Sequence, residues 1–167
     1  KKEKDIAKQK EEFNSVLPQI LGKINLMKEE NHIEVYTGLK GIKNAYDKET
    51  LYFKKDTILY DIGILKASEY DKKIFDYFTY NVRPRRERAE IKIKKILAKG
   101  TDPKQHEPSA EIRYLPFGST VTITVIEDLT IIGIFSEIAI TITIESKAVA
   151  KSFKEQFEIL WKIAKKI

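Results

Sequence analysis

The chain has 167 residues, of which 42% are hydrophobic and 34% charged, and its formal net charge is +6. This composition predicts one substantial core with an appendage. No apolar run approaches the roughly 20 residues of a membrane span, and the lysine-rich start lacks the apolar core of a signal peptide, so we expect a cytoplasmic protein without membrane contact. The absence of cysteine excludes disulfides, thiolate metal sites and a cysteine nucleophile. His32 and His106 lack a second ligand at metal-site spacing, so we expect neither a metal nor a cofactor.

Residues 1–30 carry apolar residues at heptad-like spacing, which predicts a helical seam. Pro18 should divide it into one helix ending near Ser15 and another beginning near Leu17. Residues 1–12 are nearly all charged and have little to bury against their own domain, so this segment is either a frayed linker or half of a coiled coil with a second chain, and we favour the coiled coil. We therefore assign residues 1–30 to dimerisation and 31–167 to a second domain. The seam positions are Ile6, Phe13, Leu17, Ile20 and Met27.

A short alternating strand from Ile33 changes to helical spacing at Gly38. Glycines at 38 and 41 would let the amides of a helix N-terminus face an anion or a polar ligand. The alternative is that Gly38 ends the strand and Gly41 permits close packing, and we give this alternative slightly more weight. The candidate ligand-binding residues of this turn are Tyr36, Thr37, Gly38, Lys40 and Gly41.

Further along, we predict a strand over Thr57–Leu65, an aromatic-rich amphipathic helix over 70–78 and a strand beginning at Ile91. Residues Gly100–Ser109 form the clearest loop, and a short strand over Glu111–Leu115 follows it.

Arginine is concentrated in two places. Only five of the 31 basic residues are arginine, and four lie within six positions: Arg83, Arg85, Arg86 and Arg88. The planar guanidinium suits carboxylate or phosphate recognition, although a solvated helix start with Pro84 at its first position is an equally weighted reading. The fifth is Arg113, on the strand face opposite Ile112 and Tyr114. We expect Arg113 and the cluster to anchor any effector together.

From Thr120 to Ile144 the sequence alternates threonine with valine or isoleucine across two turns, which predicts a three-stranded antiparallel meander. A last helix over Lys147–Lys166 has one apolar face that should pack on the sheet. The predicted fold class is α/β, with a mixed sheet flanked by helices and an N-terminal helical segment.

Four runs of residues in this order resemble the C-terminal half of TrmB-type transcriptional regulators: 16–21, 35–42, 113–116 and 157–164. The resemblance implies a phospholipase-D-like sandwich that senses an effector, preceded in that family by a helical dimerisation segment and a winged helix-turn-helix. The winged helix is not present in these residues.

Phospholipase-D chemistry needs a His-x-Lys-x4-Asp arrangement, in which histidine is the nucleophile and lysine stabilises phosphate charge. Counting back from Asp128 places Val121 at the histidine position and Ile123 at the lysine position. We therefore expect a protein that is not an enzyme.

The leading hypothesis is the effector-sensing and dimerisation domain of a DNA-binding regulator, with its pocket between the 36–41 turn, Arg113 and the arginine cluster. We expect a homodimer that contacts DNA through the absent winged helix and takes a sugar or an anionic small molecule as effector. The alternative is a direct nucleic-acid-binding module using the Lys/Arg surface. Against it, the aromatic residues occupy core spacing rather than a stacking platform.

Overall fold

The structure is a computed structural model that describes residues 18, 31–63, 72–135 and 138–166. The predicted seam within residues 1–30, apart from Pro18, lies outside this range, as does Tyr70 of the predicted aromatic helix. Residues Ile33–Ile167 form one compact unit. The strands and helices, in chain order, are β1 His32–Thr37, α1 Gly38–Glu49, β2 Ile58–Gly63, α2 Lys72–Tyr77, a π-helical turn Phe78–Val82, α3 Arg83–Arg88, β3 Lys92–Ala98, β4 Glu111–Leu115, β5 Val121–Ile126, β6 Leu129–Ile134, β7 Ile140–Glu145 and α4 Lys147–Ile163. Thr50–Tyr52 and Pro103–Gln105 are short 3-10 turns.

The seven strands form one mixed sheet in the order β1-β7-β6-β5-β2-β3-β4. Strands β2, β3 and β4 run parallel to each other. Strand β5 is antiparallel to β2, and β5, β6 and β7 form the predicted antiparallel meander. Glu127 turns the chain between β5 and β6 with a positive φ of 48°. The predicted mixed sheet flanked by helices is confirmed.

Helix α4 covers one face of the sheet, as its apolar face predicts. Ser146 caps its N-terminus by accepting a hydrogen bond from the Val149 amide. Phe157 and Trp161 stack with ring centroids 5.3 Å apart, and they pack on Ile62 and Ile96. The helix ends at Ile163 rather than at Lys166, because Lys165 exchanges two backbone hydrogen bonds with Tyr114 of β4. The last residues thus extend the edge of the sheet.

Helices α1, α2 and α3 lie on the opposite face. Its apolar part includes Ala45, Leu59, Ile93, Ile126 and Leu129, all at most 5% exposed. Alternation along β2 and β3 also directs Asp61 and Lys95 to this face, beside Leu59 and Ile93. Asp61 is 8% exposed and Lys95 only 1%. This face therefore encloses charge, and it holds the candidate site.

Candidate functional site

A network of buried charges begins at Arg86, on the short helix α3. Its Nε and Nη2 donate to the two carboxylate oxygens of Glu49, the last residue of α1, over 3.2 and 2.7 Å. Its Nη1 donates to Glu107 Oε1 over 2.9 Å. All three side chains are fully buried. The forked geometry of arginine thus joins α1, α3 and the loop before β4.

Lys95 continues the network towards the middle of the sheet. Its Nζ lies 2.8 Å from Glu107 Oε2 and 3.0 Å from Asp61 Oδ2, so Glu107 bridges Arg86 and Lys95. Both cations also lie over the ring of Phe78, at 5.3 and 5.0 Å from its centroid. Three carboxylates thus face two cations, which leaves one negative charge in excess when all five residues are ionised. We call these residues the charged network: Glu49, Asp61, Arg86, Lys95 and Glu107.

The surroundings shift the pKa values of three members of the charged network and of the neighbouring His106. Burial raises the pKa of Glu49, although Arg86 opposes this effect. Burial alone would raise the pKa of Glu107, but Lys95 and Arg86 outweigh it and hold that pKa well below its usual range. Burial alone would lower the pKa of Arg86, but Glu49 and Glu107 raise it well above its usual value. Burial, aided by Lys95, lowers the pKa of His106 to about 4. At neutral pH, Glu107 and Arg86 are therefore charged and His106 is neutral.

A small cavity adjoins the network where the parallel strands β2 and β3 end, beneath α2. Its volume is about 40 Å³, enough for about three water molecules. Phe75 and Phe78 form part of its apolar wall. His106 Nδ1 is buried and has no hydrogen-bond partner in the described part of the chain. The cavity thus offers acceptors and one ammonium group to a small polar molecule. Its polar lining residues are Asp61, Lys95, Thr101, Gln105, His106 and Thr122.

Backbone geometry and packing explain the two glycines of the predicted turn at 36–41, and ligand binding there stays a prediction. Gly38 has a φ of +65°, and its amide donates to Ala139 O over 2.8 Å. A Cβ on Gly41 would lie 2.4 Å from Tyr36 Cβ. The Tyr36 hydroxyl donates to Glu34. Thr37 precedes α1 without a side-chain cap. Lys40 is exposed beside them on α1. The close-packing alternative for Gly41 therefore accounts for this turn.

The arginine cluster is mostly committed to carboxylates of the same chain. Arg83 pairs with Glu87, and Arg85 pairs with Asp47 and also donates to the Tyr77 hydroxyl. The prediction that Arg86 anchors an effector is wrong, because its guanidinium is buried and its three bonds go to Glu49 and Glu107. Arg88 is exposed on α3.

The prediction that Arg113 joins the 36–41 turn in one pocket is also wrong. Arg113 lies on β4 and the turn follows β1, and these strands are opposite edges of the seven-stranded sheet. The arginine cluster on α3 lies on one face of the sheet, and the Arg113 side chain lies on the other. The Arg113 guanidinium stacks on Trp161 of α4, 4.4 Å from the ring centroid. Its Nη1 donates to Trp161 O over 2.6 Å. The side chain thus fastens α4 to β4.

At the positions that the resemblance assigns to catalysis, the side chains are apolar. Val121 lies across from Ile134, and Ile123 lies across from Ile132, on the face that α4 covers. Asp128 lies in the turn after β5, where its carbonyl oxygen accepts a hydrogen bond from the Ser146 amide over 2.9 Å. Asp128 is thus a turn residue, as the sequence predicts.

Sequence reasoning missed every member of the charged network except Arg86, and it missed the cavity. One signal was readable, because a charged residue at an inward position of a strand is rarely solvated. Lys95 lies two residues from Ile93 and from Leu97, and Asp61 lies two residues from Leu59, so each charged residue shares a strand face with buried apolar ones. The identity of their partners follows only from the strand order.

Two kinds of feature are absent from the described part of the chain. No group of three or more His, Asp or Glu side chains there is placed to hold a metal ion. None of the described helices combines the length and hydrophobicity needed to cross a membrane.

Comparison with solved structures identifies the fold. TrmBL2, an archaeal chromatin protein, is 17% identical with a TM-score of 0.55, and the match covers 99% of this chain and 66% of TrmBL2, just under two thirds of its length. Nuc from Salmonella typhimurium, a phospholipase D family member, is 10% identical with a TM-score of 0.57, covering 81% of this chain and 97% of Nuc. NucT from Helicobacter pylori is 9% identical with a TM-score of 0.53, covering 83% and 100%. No protein-family model and no curated protein sequence matches the chain. At these identities the comparisons show the fold alone: it is phospholipase-D-like.

Proposed function

We propose that this chain is the effector-sensing and dimerisation domain of a DNA-binding regulator and that it has no catalytic activity. The observation that carries the proposal is the cavity beside the charged network. It lies at the carboxyl ends of parallel strands, where α/β proteins commonly bind ligands. It also brings together ionisable and hydroxyl side chains that the apolar core does not require.

The cavity suggests how binding would be sensed. A space of about 40 Å³ accepts a few heavy atoms, so a sugar-sized effector requires α2 to move outward. Phe78 links that movement to Arg86 and Lys95, because both cations lie over its ring. An effector that binds the displaced arrangement more tightly would shift the population towards it. The hydrogen-bond acceptors that line the cavity, among them Asp61, Thr101 and Thr122, favour a hydroxyl-rich effector over an anion.

Similarity to TrmBL2 supports the connection with DNA. The solved TrmBL2 structure is described as showing a novel mode of DNA binding, and the match covers nearly all of this chain. A regulator of this kind acts as a dimer on DNA, and residues 1–30 are proposed to supply part of the dimer contact. The arginine cluster contributes little to direct phosphate binding in this account, because Arg83, Arg85 and Arg86 pair with carboxylates.

The absence of catalysis is supported by the residues on β5. Val121 and Ile123 offer neither a nucleophile nor a cation at the positions where the resemblance requires them. Ile123 instead packs against the core beneath α4. Hydrolysis by this face would need both groups to be supplied from elsewhere.

A thermal-shift screen of sugars and small hydroxylated metabolites tests the proposal. Thr122 lines the cavity, whereas Thr141, which is also buried on the same sheet face, does not. A sensed effector should raise the melting temperature of the wild type and of Thr141→Val, and it should raise that of Thr122→Val less. An effector whose stabilisation is the same in all three proteins would place binding elsewhere. A complete screen without any stabilising compound would contradict effector sensing.

A further inference from the structure

The two edges of the sheet are finished differently. At the β4 edge, Tyr114 and Lys165 exchange backbone hydrogen bonds of 2.8 and 3.0 Å, so an isolated bridge of one residue pair adjoins the strand. At the β1 edge, no described strand pairs with the outer side of His32–Thr37. The Gly38 amide bonds to Ala139 beside β7. Since the Gly38 amide points towards β7, the Thr37 carbonyl of the same peptide unit points away from it. Because backbone direction alternates along a strand, the N–H and C=O groups of Ile33, Val35 and Thr37 all point away from β7.

Of the features that protect an open edge, strand β1 has one charged side chain, Glu34, which pairs with Lys48 of α1. Its sequence, His-Ile-Glu-Val-Tyr-Thr, contains neither proline nor lysine. Ile33 is 59% exposed and Val35 is 64% exposed, on the face opposite Glu34 and Tyr36. Unpaired backbone groups and exposed β-branched side chains therefore coincide on one strand. This combination is complementary to another extended strand with apolar residues at alternate positions.

We propose that β1 pairs antiparallel with β1 of a second copy of this chain, about a two-fold axis at Val35, so that two sheets join into one. A two-fold axis normal to the sheet places side chains that point to the same face opposite each other, so both faces stay continuous. Such an axis lies midway between the two copies of one residue, which is then opposite itself. Centring on Val35 places Val35 opposite itself, Ile33 opposite Thr37, and Glu34 opposite Tyr36. Centring on Glu34 would place two carboxylates opposite each other, which is unfavourable. Of the two centres that pair five residues of β1, Val35 is therefore favoured over Glu34.

Cysteine cross-linking tests the proposal directly, because the natural chain contains no cysteine. In this register the two Val35 residues form a hydrogen-bonded pair with Cα atoms about 5.5 Å apart, within the range that a disulfide spans. We expect Val35→Cys to give a disulfide-linked dimer under mild oxidation, visible on a non-reducing gel. The matched control is Leu51→Cys, at an apolar side chain that is 77% exposed and distant from β1 in sequence.

The dimer yield of Val35→Cys should exceed that of Leu51→Cys by about fivefold or more, since only a held pair oxidises efficiently. Equal yields would overturn the proposal. The register is tested by Ile33→Cys and Thr37→Cys, which should cross-link when mixed and link poorly when each is oxidised alone. Circular dichroism confirms that each variant is folded before oxidation. Linking of Ile33→Cys alone, as strong as in the mixture, would exclude the register centred on Val35.

Discussion

The two faces of the sheet bury different kinds of side chain. Beneath α4 the core is apolar, with Phe157 and Trp161 packed on aliphatic side chains of β2, β3 and β4. Beneath α1 and α3, five ionisable side chains are buried together. The stability of an apolar core depends on how well its volume is filled, so the core tolerates an apolar replacement of similar shape. A buried charge network depends on every member, because removing one leaves its partners uncompensated.

Arg86→Met should have the largest effect. It leaves Glu49 and Glu107 buried with much less compensation, so we expect the free energy of unfolding to fall by about 3–5 kcal/mol. Arg88→Met on the same helix is the matched control, and at this exposed position we expect a change within about 0.5 kcal/mol. Urea denaturation measures both. Similar small losses in the two variants would show that the network contributes little to stability.

Near-isosteric changes on the two faces sharpen the comparison. Glu107→Gln keeps the shape but removes the charge between Arg86 and Lys95, so we expect a loss of about 3 kcal/mol. Ile96→Leu keeps the volume of a buried apolar side chain beneath α4, where a volume-conserving replacement costs less than about 1.5 kcal/mol. Chemical denaturation at pH 7 compares the two losses. The reverse order would contradict the distinction between the faces.

The pH dependence of stability should report His106. Its pKa is about 4 in the folded protein and about 6.5 in an unfolded chain, so the unfolded state binds the proton first. Stability is therefore fully present above pH 6.5 and is lost as the pH falls towards 4. We expect a loss of about 2 kcal/mol after allowing for partial exposure. The groups around His106 are Lys95, Asp61, Glu107 and Arg86.

The variant His106→Gln should flatten this part of the melting-temperature profile, whereas His32→Gln, at an exposed position, should leave it unchanged. Glu107 contributes a separate loss at lower pH, because its folded pKa lies below its unfolded value. An identical slope between pH 6.5 and 4 in wild type and His106→Gln would remove His106 from the account.

Arg113→Ala should have a smaller effect than the changes within the charged network. It removes the stacking on Trp161 and one hydrogen bond to Trp161 O, which together are worth about 1–2 kcal/mol. A stabilising effector should raise the melting temperature of Arg113→Ala and of the wild type equally, because Arg113 lies on the face opposite the cavity. Selective loss of the effector's stabilisation in this variant would restore Arg113 to the binding site.

The sequence predicted the fold more completely than the site, for a physical reason. The meander of β5, β6 and β7 and the apolar face of α4 are periodic signals that local sequence carries. The charged network joins residues from 49 to 107 whose proximity depends on the strand order. Arginine clustering in sequence was misleading, since neighbouring arginines on α3 point to different partners. Lys95 and Asp61 were readable as buried charges, but the loop carrying Glu107 gave no sign of its position.

Phosphodiester hydrolysis is the measurement that tests the central claim most directly, namely that this phospholipase-D-like fold serves sensing without catalysis. The wild-type chain and Asp128→Asn would be compared with a buffer blank, using bis(4-nitrophenyl) phosphate and plasmid DNA as substrates. With Val121 and Ile123 at the positions of the nucleophile and the cation, we predict that both proteins match the blank. Hydrolysis by the wild type above the blank, abolished in Asp128→Asn, would contradict the account.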